Sequence, residues 1–276
     1  MARRRLDAEL VRRGLARSRD HASELIDAGL VKVRGAVATK PATQVEDADA
    51  IVVLEEDPHA HYVSRGAHKL IGALDRFAEI RVADRMCLDA GASTGGFTQV
   101  LLERGAARVL AVDVGYGQLA WPVRTDPRVE VLERTNVRNL RVADVPFRPD
   151  LIVADLSFIP LGLVLPALAA VARESSDFVL MVKPQFEVGR AAVGDGVVRE
   201  PALRESAVAG VADAAVAAGL GVVDVVASPL PGPSGNVEYF LWLARSDGRM
   251  GTSDGRCLDG ASLVDAIARA VREGPQ

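Results

Sequence analysis

From residue 86 onward the sequence alternates apolar runs with segments of helical periodicity, and no other feature constrains the fold as strongly. Some runs are apolar at every position, as in Phe178–Val182, which is typical of strands in a sheet that helices cover on both faces. Strands that alternate with helices predict a doubly wound α/β domain. The seven predicted strands lie in CLDAG, RVLAVDVG, VEVLERTNV, DLIVADLSF, DFVLMVKPQ, GVVDVVASP and VEYFLWLAR.

A glycine-containing loop, DAGASTGGF over residues 89–97, joins the first predicted strand to the helix that follows. Its glycines stand at 91, 95 and 96, so it is not the GxGxxG loop of dinucleotide-binding folds, although any tight strand-to-helix turn also favours glycine. Asp113 follows the second predicted strand, where a carboxylate suits a ribose diol. Asn136 follows the third, where an amide suits an adenine edge.

This order of residues resembles the S-adenosylmethionine pocket of class I methyltransferases, with NAD binding as the alternative. The resemblance implies a Rossmann-like, seven-stranded sheet and S-adenosylmethionine as the cofactor. For Phe158 we expect a place beside the cofactor or the target nucleotide, or a role in the core. The implied cofactor contacts are Asp89, Gly91, Ser93, Gly95, Gly96, Phe97, Asp113, Asn136, Val137, Asp155 and Phe158.

A lysine, Lys183, follows the fully apolar strand Phe178–Val182 and precedes Pro184. It could end the strand in solvent, or it could be a cation held in a cleft. The end of the fourth strand, ADLSF, lacks the prolines of the [N/D]PP[Y/F] motif of enzymes that methylate exocyclic base nitrogens. Neither Cys87 nor Cys257 is placed as the nucleophile that pyrimidine C5 methylation requires.

A helix is predicted in VSRGAHKLIGALDRF, ahead of the first strand of the α/β domain. Its apolar stripe predicts that Lys69 lies roughly opposite, on the same face as Arg65. A solvated helix face is the alternative to a functional role for these two cations. The predicted stripe is Ala67, Leu70, Ile71, Leu74 and Ala78.

The segments SRGAHKL, DAGASTGGFTQ, DVGYGQL, ADLSFI, KPQFE and GNVEYFLWL resemble the TlyA-type ribosomal RNA 2′-O-methyltransferases, an FtsJ-like family often labelled haemolysins. The resemblance runs from about residue 5 to residue 244. It implies methylation of a cytidine 2′-hydroxyl in 16S and/or 23S rRNA within ribosomal subunits. It also implies a catalytic tetrad of Lys69, Asp155, Lys183 and Glu238.

The chemistry of a ribose hydroxyl fits such a tetrad. The hydroxyl must lose its proton as it attacks a sulfonium methyl, yet a lysine in water holds its own proton at neutral pH. A second cation or partial burial favours the neutral amine. We therefore predict that Lys183 is the general base or orients the hydroxyl, and that Lys69 tunes it and is a candidate phosphate contact. Asp155 and Glu238 would orient the two lysines.

The charge of the chain is distributed unevenly. The net charge is −4, but residues 1–40 contain ten Lys or Arg and five Asp or Glu, whereas residues 41–60 contain six acids and no base. A basic block at one end is a candidate footprint for nucleic acid, with ordinary solvated arginines as the alternative.

The basic block also has a structural pattern. Helical spacing predicts one helix with Leu6 and Leu10 that ends at Gly14, and a second that begins after Ser18 and ends at Gly29. Short strands are predicted in LVKVRG, AVATKP and AIVVLE. The pattern resembles the αL-type RNA-binding module of a small-subunit ribosomal protein, tyrosyl-tRNA synthetases and pseudouridine synthases, with Arg34-Gly35 where Asn-Gly is usual. The predicted RNA contacts are Arg3, Arg4, Arg5, Arg17, Arg19, Lys32, Arg34 and Arg65.

The expected organisation is an RNA-binding α+β domain over residues 1–58, a linker over 59–65, a methyltransferase domain over 66–246 and a tail with a short helix over 247–276. The N-terminus lacks the apolar stretch of a signal peptide, and the apolar segment 156–172 is too short and too rich in proline to span a membrane. We therefore expect a cytoplasmic protein. No spacing of Cys and His predicts a metal site. Ser234, in the loop 232–236, is a further candidate on the acceptor side.

Two other functions stay open at this point. One is a membrane-damaging cytolysin, which the family's haemolysin label suggests. The other is a non-catalytic factor that binds ribosomes and has kept a cofactor pocket.

Overall fold

The computed structural model describes residues 3–27, 29–54, 61–189, 193–245 and 257–275. The chain divides into two compact units, Met1–His61 and Tyr62–Gln276. No helix in these described ranges is both long enough and apolar enough to cross a membrane.

The smaller unit contains two helices and short antiparallel strands around an apolar core. Leu6, Leu10, Leu25 and Ile26 are buried at its centre. In chain order the elements are β1 (Arg4–Arg5), α1 (Leu6–Arg12), α2 (Arg19–Asp27), β2 (Val31–Val33), β3 (Ala36–Val37), β4 (Gln44–Val45) and β5 (Ile51–Val53). Strands β2, β3 and β5 form one sheet in the order β3-β2-β5, and β1 pairs with β4.

Both predicted helices of this unit are confirmed, and so are their boundaries. Gly14, after α1, has a φ of +73°, which glycine adopts without strain. The Ser18 hydroxyl oxygen accepts the His21 N–H at 3.1 Å, as expected of an N-cap. The turn between β2 and β3 has positive φ at both Arg34 (52°) and Gly35 (83°), so Arg34 takes the conformation that Asn-Gly turns usually provide.

The larger unit contains a seven-stranded sheet in the order β11-β12-β10-β9-β6-β7-β8. Neighbouring strands from β10 to β8 are parallel, whereas β12 runs antiparallel to both β10 and β11. The strands are β6 (Met86–Ala90), β7 (Arg108–Val112), β8 (Val129–Leu132), β9 (Leu151–Ala154), β10 (Asp177–Val182), β11 (Leu220–Ala227) and β12 (Tyr239–Arg245). All seven predicted strands are confirmed.

Helices cover both faces of this sheet. Apolar residues of α3 and α4 pack on one face, and those of α6, α8 and α9 pack on the other. The helices are α3 (Gly66–Arg76), α4 (Gly96–Glu103), α5 (Trp121–Arg124), α6 (Leu165–Val171), α7 (Pro184–Glu187), α8 (Pro201–Ala217) and α9 (Gly260–Glu273). The strand order reverses between β6 and β9, which is where ligands bind in open α/β sheets.

Two details of the larger unit differ from expectation or add to it. Lys69, predicted on the face of α3 opposite the apolar stripe, is buried because its ammonium contacts the carboxylate of Glu238, so the alternative of a solvated face is wrong for this residue. Ala78 lies beyond the end of α3 and is exposed. The predicted tail helix is α9, and its Ala266, Ile267 and Val271 are buried against the sheet domain.

Candidate active site

A cleft of about 290 Å³ opens at the carboxyl ends of β6, β9 and β10. It lies at the point where the strand order reverses, so loops from three strands and the start of α3 contribute to it. Its lining residues are Ser64, Arg65, Gly66, Lys69, Gly91, Ala92, Ser93, Thr94, Gly96, Phe97, Asp155, Ser157, Lys183, Pro231 and Pro233.

Lys183 points into this cleft from the end of β10. Its side chain is almost fully buried, and Pro184 starts the single-turn helix α7 directly after it. The Lys183 ammonium lies 2.5 Å from a carboxylate oxygen of Asp155 and donates to the Ser157 hydroxyl at 2.9 Å. The lysine is therefore fixed by two side chains from the loop after β9, and it does not end the strand in solvent.

Lys69 reaches the same cleft from α3. Its Nζ donates to Oε2 of Glu238 at 2.5 Å, and the two side chains are 8% and 1% exposed. Glu238, just before β12, does not line the cleft itself. Gly232 makes room for it, since a Cβ there would come within 2.6 Å of the Glu238 carboxylate. A charge buried this deeply is tolerated because its counter-ion is in contact.

The four members of the predicted tetrad thus form two ion pairs, Lys183–Asp155 and Lys69–Glu238. Three of the four side chains line one cleft, and the fourth holds Lys69 in place. Two ammonium groups and two carboxylates leave the group without net charge. The pairing satisfies both cations while they face the same space.

Glycines of the loop 89–97 form part of the cleft lining. Gly91 has a φ of +84°, and a Cβ at this position would lie 2.7 Å from the Asp155 carbonyl oxygen. A Cβ at Gly96 would collide with the Ser64 hydroxyl. Gly91 therefore needs to be glycine, both for its φ and for the close approach of the Asp155 backbone, and glycine at 96 leaves room for the Ser64 hydroxyl.

Asp89 was predicted as a cofactor contact, but its carboxyl group is completely buried and lines neither this cleft nor the cavity beside it. Its Oδ2 accepts from the Thr98 hydroxyl at 2.7 Å. Burial raises the pKa of Asp89 to about 7. For Oδ1 the structure records no hydrogen-bond partner among the described residues.

A smaller cavity adjoins the cleft through Ala92 and Ser93. Asp113 lines it, and its carboxylate accepts the Ser93 N–H at 2.8 Å and the Gly115 N–H at 2.7 Å. These bonds fix the carboxylate at the end of β7, and its contact with a ribose diol stays a prediction. The other lining residues are Ala111, Gln118, Leu119, Val131 and Glu133.

Four further predicted contacts line neither cavity. Asn136 is exposed and caps a 3₁₀ turn through the Arg138 N–H at 3.0 Å, and Val137 is buried in the core. Gly95 is the left-handed residue before α4, with a φ of +100°. Phe158 is 90% exposed, has a φ of +65° and packs its ring 5.1 Å from that of Phe186.

Sequence reasoning missed some polar groups at these cavities. Ser157, which holds Lys183, follows Asp155 by two residues and could have been found from its place at the same strand end. Glu133 is the first residue after β8, and it lines the smaller cavity where Asn136 was predicted to act. Ser234 is exposed, and its neighbours Pro231 and Pro233 line the cleft instead.

Most of the predicted RNA contacts of the smaller unit form ion pairs with Asp or Glu side chains of the same unit. Asp7 and Glu9 of α1 are buried, and the guanidinium of Arg5 holds the pKa of Asp7 well below its usual range. Arg12 likewise lowers the pKa of Glu9 to about 2. The ion pairs of the predicted contacts are Arg3–Glu46, Arg4–Asp47, Arg5–Asp7, Arg19–Asp7 and Arg34–Asp49.

Two of the predicted RNA contacts in this unit differ from the rest. For Arg17 and Lys32 no ion pair is recorded within the described part of the chain. Arg17 is exposed and Lys32 half-buried. Arg65, in the larger unit, is exposed and lines the cleft beside Lys69.

Comparison with protein families matches each of the two units to a known family. Residues 62–245 match the FtsJ-like methyltransferase family, and residues 4–51 match the S4 domain. The first match covers the sheet, the glycine-containing loop and all four tetrad residues.

Individual relatives extend over nearly the whole chain. The chain is 60% identical over 277 residues, all of both proteins, to the 16S/23S rRNA (cytidine-2′-O)-methyltransferase TlyA of Mycobacterium tuberculosis. It is 37% identical over 238 residues to Hemolysin A of Brachyspira hyodysenteriae, which covers 86% of this chain and 98% of that protein. Among solved structures, a protein from Streptococcus thermophilus described as a hemolysin is 37% identical with a TM-score of 0.72, over 99% of this chain and 97% of that one.

Proposed function

Because the chain belongs to the TlyA family of FtsJ-like methyltransferases, we propose that it transfers a methyl group from S-adenosylmethionine to the 2′-hydroxyl of cytidine in 16S and/or 23S rRNA. The observation that carries this proposal is the pair of lysines, each held by a carboxylate, that line one cleft together with residues of the glycine-containing loop. Ribosomal subunits are the proposed substrates, and the cytoplasm is the proposed place of action.

The residues present fit S-adenosylmethionine. Gly91, Ser93, Gly96 and Phe97 line the cleft, and Asp113 presents a fixed carboxylate to the adjoining cavity. The cleft holds no phosphate-binding cradle of the GxGxxG kind. When bound, S-adenosylmethionine supplies an electrophilic methyl group on a positively charged sulfur.

Lys183 acts on the acceptor hydroxyl in this proposal. As a neutral amine, Nζ would accept the 2′-hydroxyl proton while the hydroxyl oxygen bonds to the methyl carbon and the bond from that carbon to sulfur breaks, which would release S-adenosylhomocysteine. As an ammonium, Nζ would instead orient the hydroxyl. The ion pair with Asp155 and the bond to Ser157 fix the direction in which Nζ points. Fixing this geometry lowers the entropy cost of bringing oxygen and methyl group into line.

Lys69 supplies the second cation. Its ammonium, held by Glu238, faces the cleft that Lys183 also faces. Together with Arg65, it is also placed to contact a phosphate of the RNA.

We assign RNA docking to the smaller unit. Surface arginines that are paired with acids can exchange those partners for phosphates, and each exchange releases counter-ions from the RNA. Arg17 and Lys32, for which no internal ion pair is recorded in the described ranges, would contact phosphate without giving up a partner. The remaining proposed contacts of this unit are Arg3, Arg4, Arg5, Arg19 and Arg34, and Arg65 is a proposed contact in the larger unit.

The direct test is methyl transfer from radiolabelled S-adenosylmethionine to purified ribosomal subunits. We expect transfer by the unaltered protein and a loss of at least a hundredfold in Lys183→Met, with cofactor affinity retained in a calorimetric titration. Lys40→Met is the matched control, because Lys40 is exposed and not among the proposed contacts. Cofactor binding without transfer by the unaltered protein would instead identify a non-catalytic binding factor.

A further inference from the structure

The single-turn helix α7 contacts the loop that presents Asp155, and part of this contact has no role in the chemistry described above. We define the acceptor loop as residues 155–161, which run from the end of β9 to the first residue of the 3₁₀ turn Leu161–Leu163. The loop meets the segment 183–187 at both of its ends and in the middle. The three contacts are Lys183 with Asp155 and Ser157, Phe186 with Phe158, and Glu187 with Leu161.

The third contact is a hydrogen bond to the backbone. Oε1 of Glu187 accepts the Leu161 N–H at 2.9 Å. Glu187 is half-buried, and desolvation raises its pKa to about 6. No ion pair with a cation is recorded for it in the described ranges. Burying a carboxyl group destabilises the protein unless hydrogen bonds compensate. The bond from the Leu161 N–H is therefore the contact that compensates for the desolvation of Glu187.

The acceptor loop needs such a bond because its middle is strained. Phe158 has a φ of +65°, a conformation that residues other than glycine seldom adopt, and its ring is 90% exposed. Burial therefore does not hold Phe158 in place. A strained, exposed segment keeps one conformation only when its ends are fixed. Lys183 fixes the first end through Asp155, and Glu187 fixes the last end through Leu161.

We propose that Glu187 is a positioning residue for methyl transfer, which fixes the far end of the acceptor loop so that Asp155 and Ser157 keep their places beside Lys183. The inference rests on the proposed function. Glu187 does not line the cleft and acts through the Leu161 amide, without touching the reacting atoms.

The test compares Glu187→Ala with Glu187→Gln, whose amide oxygen can still accept the Leu161 N–H. Hydrogen exchange in a peptide covering residues 156–163 reports loop order without requiring activity. We expect faster exchange and about a tenfold loss of kcat/KM on ribosomal subunits in Glu187→Ala, carried mainly by kcat, with unchanged affinity for S-adenosylmethionine. Glu187→Gln should restore both the slow exchange and the activity.

The matched control is Asp144→Ala, which removes another carboxylate bond to a backbone amide, that of Arg141 at 3.0 Å. It should change neither loop exchange nor activity. Unaltered exchange and kcat/KM in Glu187→Ala would overturn the proposal, and so would equal losses in the Ala and Gln variants. A drop in cofactor affinity together with kcat would indicate general unfolding, which also contradicts a positioning role. If the unaltered protein transfers no methyl group, the proposed function fails, while the exchange measurement still decides whether Glu187 orders the loop.

Discussion

Replacing Lys69 by methionine should destabilise the larger unit strongly, because it leaves the carboxylate of Glu238 buried without its counter-ion. The two side chains are 8% and 1% exposed and their charged atoms are 2.5 Å apart. Removal of one partner from a buried ion pair costs about 3–5 kcal/mol. For a unit of this size, that loss corresponds to a fall in Tm of about 6–20 °C.

The double variant Lys69→Met/Glu238→Leu should recover most of this loss, since it removes both charges together. Apolar replacement of a whole buried pair is often neutral. The difference between the double variant and the sum of the single variants is the coupling energy, and we expect at least about 2 kcal/mol.

Urea unfolding followed by tryptophan fluorescence measures these free energies for the larger unit alone. The chain has two tryptophans, Trp121 and Trp242, and both lie in that unit. The control is Arg76→Met, which breaks the exposed pair with Glu273 at 3.6 Å and should change stability by less than about 1 kcal/mol. A destabilisation of Lys69→Met no larger than this control would refute the reasoning, because it would mean that water already solvates the pair.

Three further predictions concern the buried carboxyl of Asp89, the glycine-containing loop and the proposed RNA contacts of the smaller unit. The Asp89 carboxyl keeps its proton up to a pKa of about 7, whereas the unfolded chain releases it near 3.8. The free energy of unfolding should therefore fall by about 4 kcal/mol as pH rises through that window, and urea titrations of Asp89→Asn should show a smaller slope. Gly91→Ala, whose Cβ would meet the Asp155 carbonyl oxygen, should weaken S-adenosylmethionine binding about tenfold or more in calorimetry, whereas Gly117→Ala, with the same sign of φ but open space, should not. Arg17→Ala should lower affinity for an rRNA fragment and reduce the salt dependence of binding by about one counter-ion; an unchanged salt slope would place Arg17 away from phosphate.

The sheet was predictable because each strand carries its own signal. The run Phe178–Val182 is apolar at every position and becomes β10, and it is buried on both faces as such runs are. Lys183 was predictable as well, because the end of a buried strand at the carboxyl edge of the sheet is a known place for function.

Other features depend on partners that are distant in sequence. Helical periodicity gave the face of α3 on which Lys69 lies, but it could not show that Glu238, 169 residues later, pairs with this lysine and buries it. Asn136 was chosen for its residue type, but the adjoining cavity is lined by Glu133, which directly follows β8. Glu187 gave no signal, since its partner is the backbone amide of Leu161.

The position of the transferred methyl group tests the central claim most directly. Ribosomal RNA from cells that lack this protein would be compared by mass spectrometry with RNA from the same cells supplied with the unaltered protein or with Lys183→Met. The account predicts 2′-O-methylcytidine that appears only with the unaltered protein, while the variant still binds S-adenosylmethionine. A protein-dependent methyl group on a base, or an undiminished ribose mark with Lys183→Met, would contradict it.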